Sequence, residues 1–238
     1  MKKFLEKLYK KDKKSFFEIL KKDLKNKNKK FIVTVNPETL MIAEKDLELK
    51  EILEDDSVSF VPDGIGVVKA AKMIGVDVKE RIPGIEIAEK LFEFANESKK
   101  SLYLFGAKQE VLNNLKEKIE KNYSNIKLFG MTNGYVENKE EEFQKIIKKE
   151  PDIVLVALGI PAQEKLLYKY FKDFKKGIFV GVGGSFDVLS GTKKRAPQIF
   201  IKTNTEWLYR ILKEPKRIKR FWDNNVKFIF KIRKEKND

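Results

Sequence analysis

The sequence predicts an α/β fold with a mainly parallel, Rossmann-like sheet flanked by helices, followed by a helical C-terminal appendage. Three observations support this prediction. Six short apolar runs recur along the chain, longer segments with helical periodicity separate them, and the runs lack the polar alternation of a sheet with one solvated face. Strands that alternate with helices in this way are typical of a parallel sheet covered on both faces.

The predicted strands are the six apolar runs, which are rich in Val, Ile, Leu and Phe. Each is four to six residues long, which suits a buried strand better than a helix. They span Phe31–Val35, Val58–Val61, Leu102–Phe105, Ile126–Phe129, Ile153–Leu158 and Ile178–Val182.

The predicted helices fill the gaps between these strands. They cover approximately 38–54, 64–74, 85–98, 108–122, 138–149 and 161–173. Pro37 and Pro161 support two of the starts, because proline fits the first turn of a helix. Ligands of open α/β sheets bind at the carboxyl ends of the strands, so the short loops there are where we expect a functional site.

Two residue types are missing from this chain of 238 residues, which has neither His nor Cys. Disulfides, Cys/His zinc sites, thiol nucleophiles and a Ser-His-Asp triad are therefore excluded. Acid-base chemistry near neutral pH falls to a carboxylate, Lys, Tyr or the substrate itself. With 42% hydrophobic residues, the chain is long and apolar enough for a packed core.

The net charge of +15 is concentrated at the two ends of the chain. Residues 1–30 contain 13 Lys and Arg against four Asp and Glu, and residues 202–238 contain 12 against five. The middle of the chain is close to neutral. We interpret the N-terminal run as a solvated Lys-rich helix, and we divide the chain into an α/β core over 1–200 and a basic amphipathic appendage over 201–238.

Large apolar residues interrupt the basic residues of the appendage at roughly helical spacing. This pattern favours a helix that lies on an anionic membrane surface. It equally fits a helix that packs on its own domain or on a second copy of the chain. Basic residues with interleaved aromatics also suit nucleic acid, so a nucleic-acid-binding α/β protein is the alternative from another class.

Several cofactor and membrane motifs are missing from the sequence. The longest apolar stretch has eight residues, against about 20 for a membrane span, and residues 1–30 lack the apolar core of a signal peptide, so we expect a cytoplasmic location. Gly181–Phe186 lacks the third glycine of the dinucleotide fingerprint, which disfavours NAD. Because there is no phosphate loop and no Asp-x-Asp pair, we expect neither ATP chemistry nor a required metal or other cofactor.

Asp63 is the first candidate for a catalytic carboxylate. It follows a predicted strand and precedes Gly64, so its side chain is expected at the ligand edge of the sheet. An Asp in this position also suits the N-cap of the following helix, and the local sequence leaves both interpretations open.

Seven motifs, taken in order, resemble those of the WecG/TagA/CpsF glycosyltransferases. The resemblance covers roughly residues 31–220, although Glu86 stands where that family commonly has Asp. The motifs are Thr34–Glu38, Pro62–Gly66, Glu80–Gly84, Leu158–Glu164, Gly181–Asp187, Arg195–Pro197 and Glu206–Arg210.

The resemblance implies an inverting sugar transferase at the inner face of the cell membrane. Its donor is expected to be a UDP-sugar carrying N-acetylmannosamine or a relative, and its acceptor N-acetylglucosamine linked to undecaprenyl diphosphate, in the synthesis of teichoic acid or another surface polysaccharide. An anionic membrane surface and self-association are further expectations, and nucleic acid is not expected as a partner.

The resemblance also implies roles for individual residues. Asp63 corresponds to the general base, and six residues correspond to positions around the donor, namely Thr34, Asn36, Arg81, Gln163, Tyr135 and Asp187. Arg210, Arg217 and Arg220 correspond to arginines that bind the lipid diphosphate. Their spacing places them on one side of the appendage if a single helix continues past Pro215.

Overall fold

A computed structural model describes residues 1–237 and contains one six-stranded sheet with every strand pair parallel. The strand order is β2-β1-β6-β5-β3-β4. The strands are β1 Lys29–Val35, β2 Val58–Pro62, β3 Ser101–Gly106, β4 Lys127–Thr132, β5 Ile153–Ala157 and β6 Gly177–Gly181. The predicted fold class and all six predicted strands are confirmed, with ends that differ by three residues at most.

Helices cover both faces of the sheet and form the C-terminal region. Those before β5 are α1 Lys2–Glu6, α2 Lys13–Lys25, α3 Pro37–Ala43, α4 Leu47–Glu54, α5 Ile65–Met73, α6 Gly84–Glu97, α7 Gln109–Asn122 and α8 Lys139–Lys149. Those after β5 are α9 Ala162–Phe171, α10 Ser185–Leu189, α11 Gln198–Lys202, α12 Glu206–Lys213, α13 Arg217–Phe221 and α14 Lys227–Asn237, with a π-helical turn over Trp222–Val226.

The segment predicted as one helix over 38–54 is two helices, and this prediction was wrong. Residues 44–46 interrupt it between α3 and α4. Asp46 has an extended backbone and its Oδ1 accepts a hydrogen bond from the Leu49 amide at 3.0 Å. An Asp side chain in this role starts a new helix, and the apolar periodicity of the segment does not reveal it.

The core consists of two apolar layers, one on each face of the sheet. Alternate residues of β1 enter different layers: Phe31 and Val33 pack under α3, α5 and α9, whereas Ile32 packs under α2 and α6. Burial of the central strands on both faces explains why their sequences are continuously apolar.

The N-terminal basic segment forms a helix with one packed face. Phe16, Leu20 and Leu24 of α2 are buried in the layer that contains Ile32, while most of its lysines face solvent. The helix is therefore solvated on its charged side, as expected, and covers the sheet with its apolar stripe.

The end of the appendage is packed into the core. Phe228 and Ile232 of α14 are fully buried in the layer under α5. The division of the chain at residue 200 stays a prediction, but α14 contributes to the same hydrophobic layer as β1.

We predict that Leu20→Ala lowers the free energy of unfolding by about 2–5 kcal/mol, because it leaves a cavity beneath α2. The matched control is Ile19→Ala on the same helix, where the side chain is 39% exposed and a change below about 1 kcal/mol is expected. Urea denaturation measures both. Equal losses in the two variants would contradict the packing of α2 described above.

Candidate active site

Four neighbouring strands bring most of the candidate residues to one edge of the sheet. Asn36 follows β1, Asp63 follows β2, Gln163 lies just after β5 and Gly183 follows β6. These strands are adjacent in the order β2-β1-β6-β5 and all run in the same direction. Their carboxyl ends therefore form a single row, as predicted.

Asp63 is anchored by its backbone and by one carboxylate oxygen. Its amide donates to the Val35 carbonyl at 2.9 Å, and its Oδ1 accepts from the amide of Gly84, the first residue of α6, at 3.2 Å. Within residues 1–237 no hydrogen bond reaches Oδ2, and this oxygen is not sealed from solvent. The Asp63 side chain thus keeps one oxygen available to accept a proton.

The N-cap interpretation of Asp63 is wrong for the helix that follows it. The N-cap of α5 is Gly64, and no side chain caps that helix. Asp63 instead reaches across to the start of α6, 21 residues later in the chain. The carboxylate therefore joins two segments of the site.

Burial raises the pKa of the half-buried Asp63 carboxyl above its ordinary value. The hydrogen bond from Gly84 and the positive charges of Arg210 and Arg81 partly oppose this shift, while the negative charge of Glu206 adds to it. A carboxylate with a raised pKa is better matched to proton transfer near neutral pH than an ordinary Asp.

Arg81 lies in the loop before α6 and is held by the appendage. Its Nε donates to Asn204 Oδ1 at 2.6 Å, and its Nη2 is 2.7 Å from Glu206 Oε2. The candidate donor-binding arginine therefore links the core to α12 in this structure.

Thr34 and Asn36 hold the end of β1 in place. Thr34 is buried, and its hydroxyl donates to the Gly181 carbonyl of β6 at 3.1 Å. Asn36 forms a capping box with Thr39: its Oδ1 accepts from the Thr39 amide at 3.0 Å, and its own amide donates to Thr39 Oγ1 at 3.2 Å. No hydrogen bond within the described chain uses the Asn36 side-chain NH2, which remains available to a ligand.

Gln163 is a buried link between the loops that follow β5 and β6. Its Oε1 accepts from the amides of Gly159 at 3.2 Å and Gly183 at 3.0 Å, and the side chain is 2% exposed. A Cβ at Gly181 would lie 2.5 Å from Gln163 Nε2, so a larger residue at this position would displace the Gln163 side chain. Gln163 lies at the predicted edge, and its carbonyl group is engaged by backbone amides.

Glu164 is a buried carboxyl beside this link. Its Oε1 accepts from Gln163 Nε2 at 2.7 Å, its Oε2 has no partner within the described residues, and the residue is 1% exposed. Burial raises the pKa of Glu164 to about 7, and the hydrogen bond from Gln163 partly opposes the shift.

Tyr135 and Asp187 follow different strands of the sheet. Tyr135 is exposed on the loop after β4, which is the opposite edge strand from β2 and about 24 Å away at the usual strand spacing. Asp187 is on α10 after β6, and its carboxylate is 3.6 Å from Lys193 Nζ. Asp187 thus follows a strand two places from β2, whereas Tyr135 lies on a loop whose Gly134 donates its amide to the Ala107 carbonyl after β3 at 2.8 Å.

The three appendage arginines do not share one helical face. Glu214 and Pro215 separate α12 from α13, so the condition of a continuous helix is not met. Arg210 is exposed and acts electrostatically on Asp63, whereas Arg217 pairs with Glu214 at 2.7 Å. Arg220 binds Glu38 of α3 through two hydrogen bonds of 2.8 and 2.9 Å.

Sequence reasoning assigns no role to four residues that the structure places around the candidate site. Asn204, Glu206 and Glu38 bind arginines across long sequence separations, and Glu164 orients Gln163. Glu38, Glu164 and Glu206 lie inside the motifs quoted above, which is the only signal for them in the sequence, and Asn204 lies outside every motif. Their burial depends on segments distant in the chain.

Two features are absent from the described part of the chain, a cluster of acidic metal ligands and a membrane-spanning helix. Residues 1–237 contain no group of three acidic side chains placed to hold a metal ion. Among the helices described over this range, none combines the length and apolar composition of a membrane span.

Comparisons with known proteins agree on one family. The model of the glycosyl transferase WecG/TagA/CpsF family matches residues 6–238. A protein of Bacillus subtilis (strain 168) named N-acetylglucosaminyldiphosphoundecaprenol N-acetyl-beta-D-mannosaminyltransferase is 38% identical over 224 residues, which cover 94% of this chain and 87% of the relative.

Two further relatives carry the same name. One, from Bacillus spizizenii (strain ATCC 23059 / NRRL B-14472 / W23), is 40% identical over 80% of this chain and 74% of its own. The other, from Staphylococcus aureus (strain MW2), is 38% identical over 88% of this chain and 82% of its own.

We predict that Glu164 makes the stability of the protein fall as pH rises. The folded state keeps the Glu164 proton up to about pH 7, whereas an unfolded carboxyl loses it near its ordinary pKa of 4.5. The stabilising effect of proton binding is therefore complete below about pH 4.5 and is lost as pH rises through 7.

Glu164→Gln removes this dependence, so the variant should gain stability relative to the wild type between pH 4.5 and 8, by on the order of 3 kcal/mol. Urea denaturation across this pH range measures the gain, and Glu117→Gln on the exposed side of α7 is the control. A difference between Glu164→Gln and wild type that is constant with pH would contradict the prediction.

Proposed function

The chain belongs to the WecG/TagA/CpsF family of glycosyltransferases, and on that premise we propose that it transfers N-acetylmannosamine from a UDP-sugar to N-acetylglucosamine linked to undecaprenyl diphosphate. The name that the three relatives share supports N-acetylmannosamine as the transferred sugar and the lipid-linked N-acetylglucosamine as the acceptor. Because the matches cover most of this chain, they support the same reaction for this protein. The product would serve teichoic acid or another surface polysaccharide. Family membership gives no support to the alternative of a nucleic-acid-binding protein.

Asp63 is the observation that carries the proposed mechanism. Its Oδ2 accepts the proton of a hydroxyl group of the acceptor sugar. The oxygen of that hydroxyl attacks the anomeric carbon of the donor, and the bond from this carbon to UDP breaks on the opposite face. The new glycosidic bond then has inverted configuration, the proton stays on Asp63 and UDP leaves with the electron pair.

The charge that develops on UDP needs cationic or N–H partners. Arg210 supplies a guanidinium near Asp63, and Gly184, which is exposed, offers a backbone amide after β6, whereas the amide of Gly183 is engaged by Gln163. A guanidinium group can bind two oxygens of a diphosphate through two parallel hydrogen bonds. Loss of one well-placed donor to a developing charge lowers the rate by about 10²–10³-fold. We therefore propose that the reaction needs no divalent metal.

A UDP-release assay tests the reaction. It combines a panel of UDP-sugars with a short-chain polyprenyl-diphosphate acceptor that carries N-acetylglucosamine, in the presence of a chelator. Release that requires both UDP-N-acetylmannosamine and the acceptor supports the proposal. Failure of every donor in the panel, with and without Mg²⁺, would overturn it.

We predict that Asp63→Asn lowers the rate of transfer by at least about 10²-fold, because it removes the general base but keeps the shape of the side chain. Binding of the UDP-sugar, measured by calorimetry, should stay within about threefold of wild type. Asp56→Asn is the control, because Asp56 is an exposed carboxylate just before β2, at the end of the strand opposite to Asp63. Near-normal turnover of Asp63→Asn would remove Asp63 from this role.

The appendage carries the apolar surface that we propose for membrane contact. Six large side chains are exposed there, namely Trp207, Leu208, Leu212, Ile218, Trp222 and Phe230, and Ile199 is exposed just before it. Trp207 stacks on Phe221 with ring centroids 4.5 Å apart, so an aromatic pair joins α12 to α13. Exposed apolar side chains among basic residues suit an anionic bilayer, where the lipid acceptor is held.

This surface also fits contact with a second copy of the chain. Sedimentation with and without detergent separates the two arrangements, since self-association through these side chains would be lost in detergent. Binding to vesicles by a monomer supports the membrane role.

We predict that the double variant Leu212→Ser/Ile218→Ser loses about 100-fold in affinity for vesicles with anionic lipids. Each exposed side chain would contribute about 1.5 kcal/mol when buried in the bilayer, and 1.4 kcal/mol is a tenfold change. Vesicle co-sedimentation measures the loss. Leu47→Ser, an exposed apolar residue on α4, is the control, and unchanged binding by the double variant would contradict the proposed surface.

A further inference from the structure

A single guanidinium joins the core to the start of the appendage. Arg81 donates from Nε to Asn204 Oδ1 at 2.6 Å and from Nη2 to Glu206 Oε2 at 2.7 Å, and Nη2 also lies 3.5 Å from the Ile201 carbonyl oxygen. The next residue, Ile82, donates its amide to the Pro62 carbonyl at 2.6 Å. Arg81 is therefore tied to the end of β2, beside Asp63.

The Arg81–Glu206 ion pair is buried. The side chains of Arg81 and Glu206 are 15% and 11% exposed. Removing one partner from a buried pair leaves an uncompensated charge and is strongly destabilising, in contrast to exposed pairs. This contact therefore restrains α12 more strongly than a surface salt bridge would.

The backbone before α12 directs side chains toward Arg81. Asn204 has a φ of 59°, a left-handed conformation that Asn tolerates better than most residues, and it ends the turn after α11. Two residues later Glu206 begins α12. Both side chains reach the same guanidinium because of this turn.

Glu206 and Arg210 are four residues apart on α12, and such residues lie on the same side of a helix. The charges of both act on Asp63, with opposite signs. A contact that fixes Glu206 therefore also fixes the position of Arg210 relative to Asp63.

The other two appendage arginines are held less firmly. Arg220 is 62% exposed where it pairs with Glu38, and Arg217 pairs with Glu214 within the appendage. Exposed pairs of this kind contribute little to stability, so an anionic ligand can replace Glu38 or Glu214 as the partner of these arginines. Their geometry does not fix α12.

We propose that Glu206 is a positioning residue, which through its buried ion pair with Arg81 fixes α12 so that Arg210 stands beside Asp63 and meets the diphosphate of the donor or the acceptor. This inference rests on the proposed transfer reaction for the role of Arg210. The contact between Glu206 and Arg81 itself is independent of that reaction.

Hydrogen exchange of the full-length protein tests the contact without any activity. In Glu206→Gln, amides of α12 should exchange at least tenfold faster than in wild type, while amides of α7 and α9 keep their rates. Glu206→Asp, which keeps the charge on a shorter side chain, should fall between the two. Asp223→Asn, which breaks an exposed pair with Lys227 in the appendage, is the control. Unchanged exchange of α12 in Glu206→Gln would overturn the proposal.

A double-mutant cycle in the UDP-release assay tests the route through Arg210. Glu206→Gln should lower kcat at least tenfold while the KM for the donor stays within about threefold. The double variant Glu206→Gln/Arg210→Gln should be no more than about threefold slower than Arg210→Gln alone, because the proposal places the main effect of Glu206 on the position of Arg210 and only a smaller effect on the charge around Asp63. If the loss of kcat in the double variant equals the product of the losses in the two single variants, the route through Arg210 is overturned. A wild-type chain without UDP release would overturn the proposed function, whereas the exchange rates would still decide whether Glu206 holds α12.

Discussion

The parallel pairing of β1 with both β2 and β6 is the constraint on which the site depends. It aligns Val35 with Pro62 on one side of β1 and places the end of β6 on the other side, so that Asp63, Asn36 and the glycines after β6 lie in one row. Thr34 fixes this arrangement by its hydrogen bond to Gly181. A shift of one residue in β1 would turn Thr34 to the other face and separate these groups.

Burial gives the charges of this row their influence. Asp63 is half-buried, and the Arg81–Glu206 pair beside it is largely shielded from solvent. Charges interact more strongly where water is excluded, so residues from the core and from the appendage together set the proton affinity of one carboxylate. The appendage is therefore electrostatically part of the candidate site, as well as a carrier of exposed apolar residues.

The appendage combines two kinds of packing. Its last helix is anchored by Phe228 and Ile232 in the core, whereas the segment from Ile199 to Trp222 presents large apolar side chains to solvent. A segment anchored at its end by α14 and at its start by Arg81 can present an apolar surface without detaching from the protein. This arrangement would keep the carboxylate of Asp63 at a constant distance from a membrane that the exposed apolar side chains contact.

The sequence by itself determined the strands, their parallel arrangement and the edge that carries Asp63, because buried strands of this length leave a continuous apolar signal and the loops after them must meet at one edge. The break between α3 and α4 comes from the local cap at Asp46, which apolar periodicity does not report, and Pro215 already marks an interruption in the sequence. The partners of Arg81 and Arg220 and the burial of Glu164 were decided by the tertiary structure. Glu206 and Glu38 lie 125 and 182 residues from the arginines they bind, and Glu164 looks in sequence like any surface carboxylate. Local periodicity reports which face of an element is apolar, whereas the pairing and burial of charges depend on which distant segments the fold brings together.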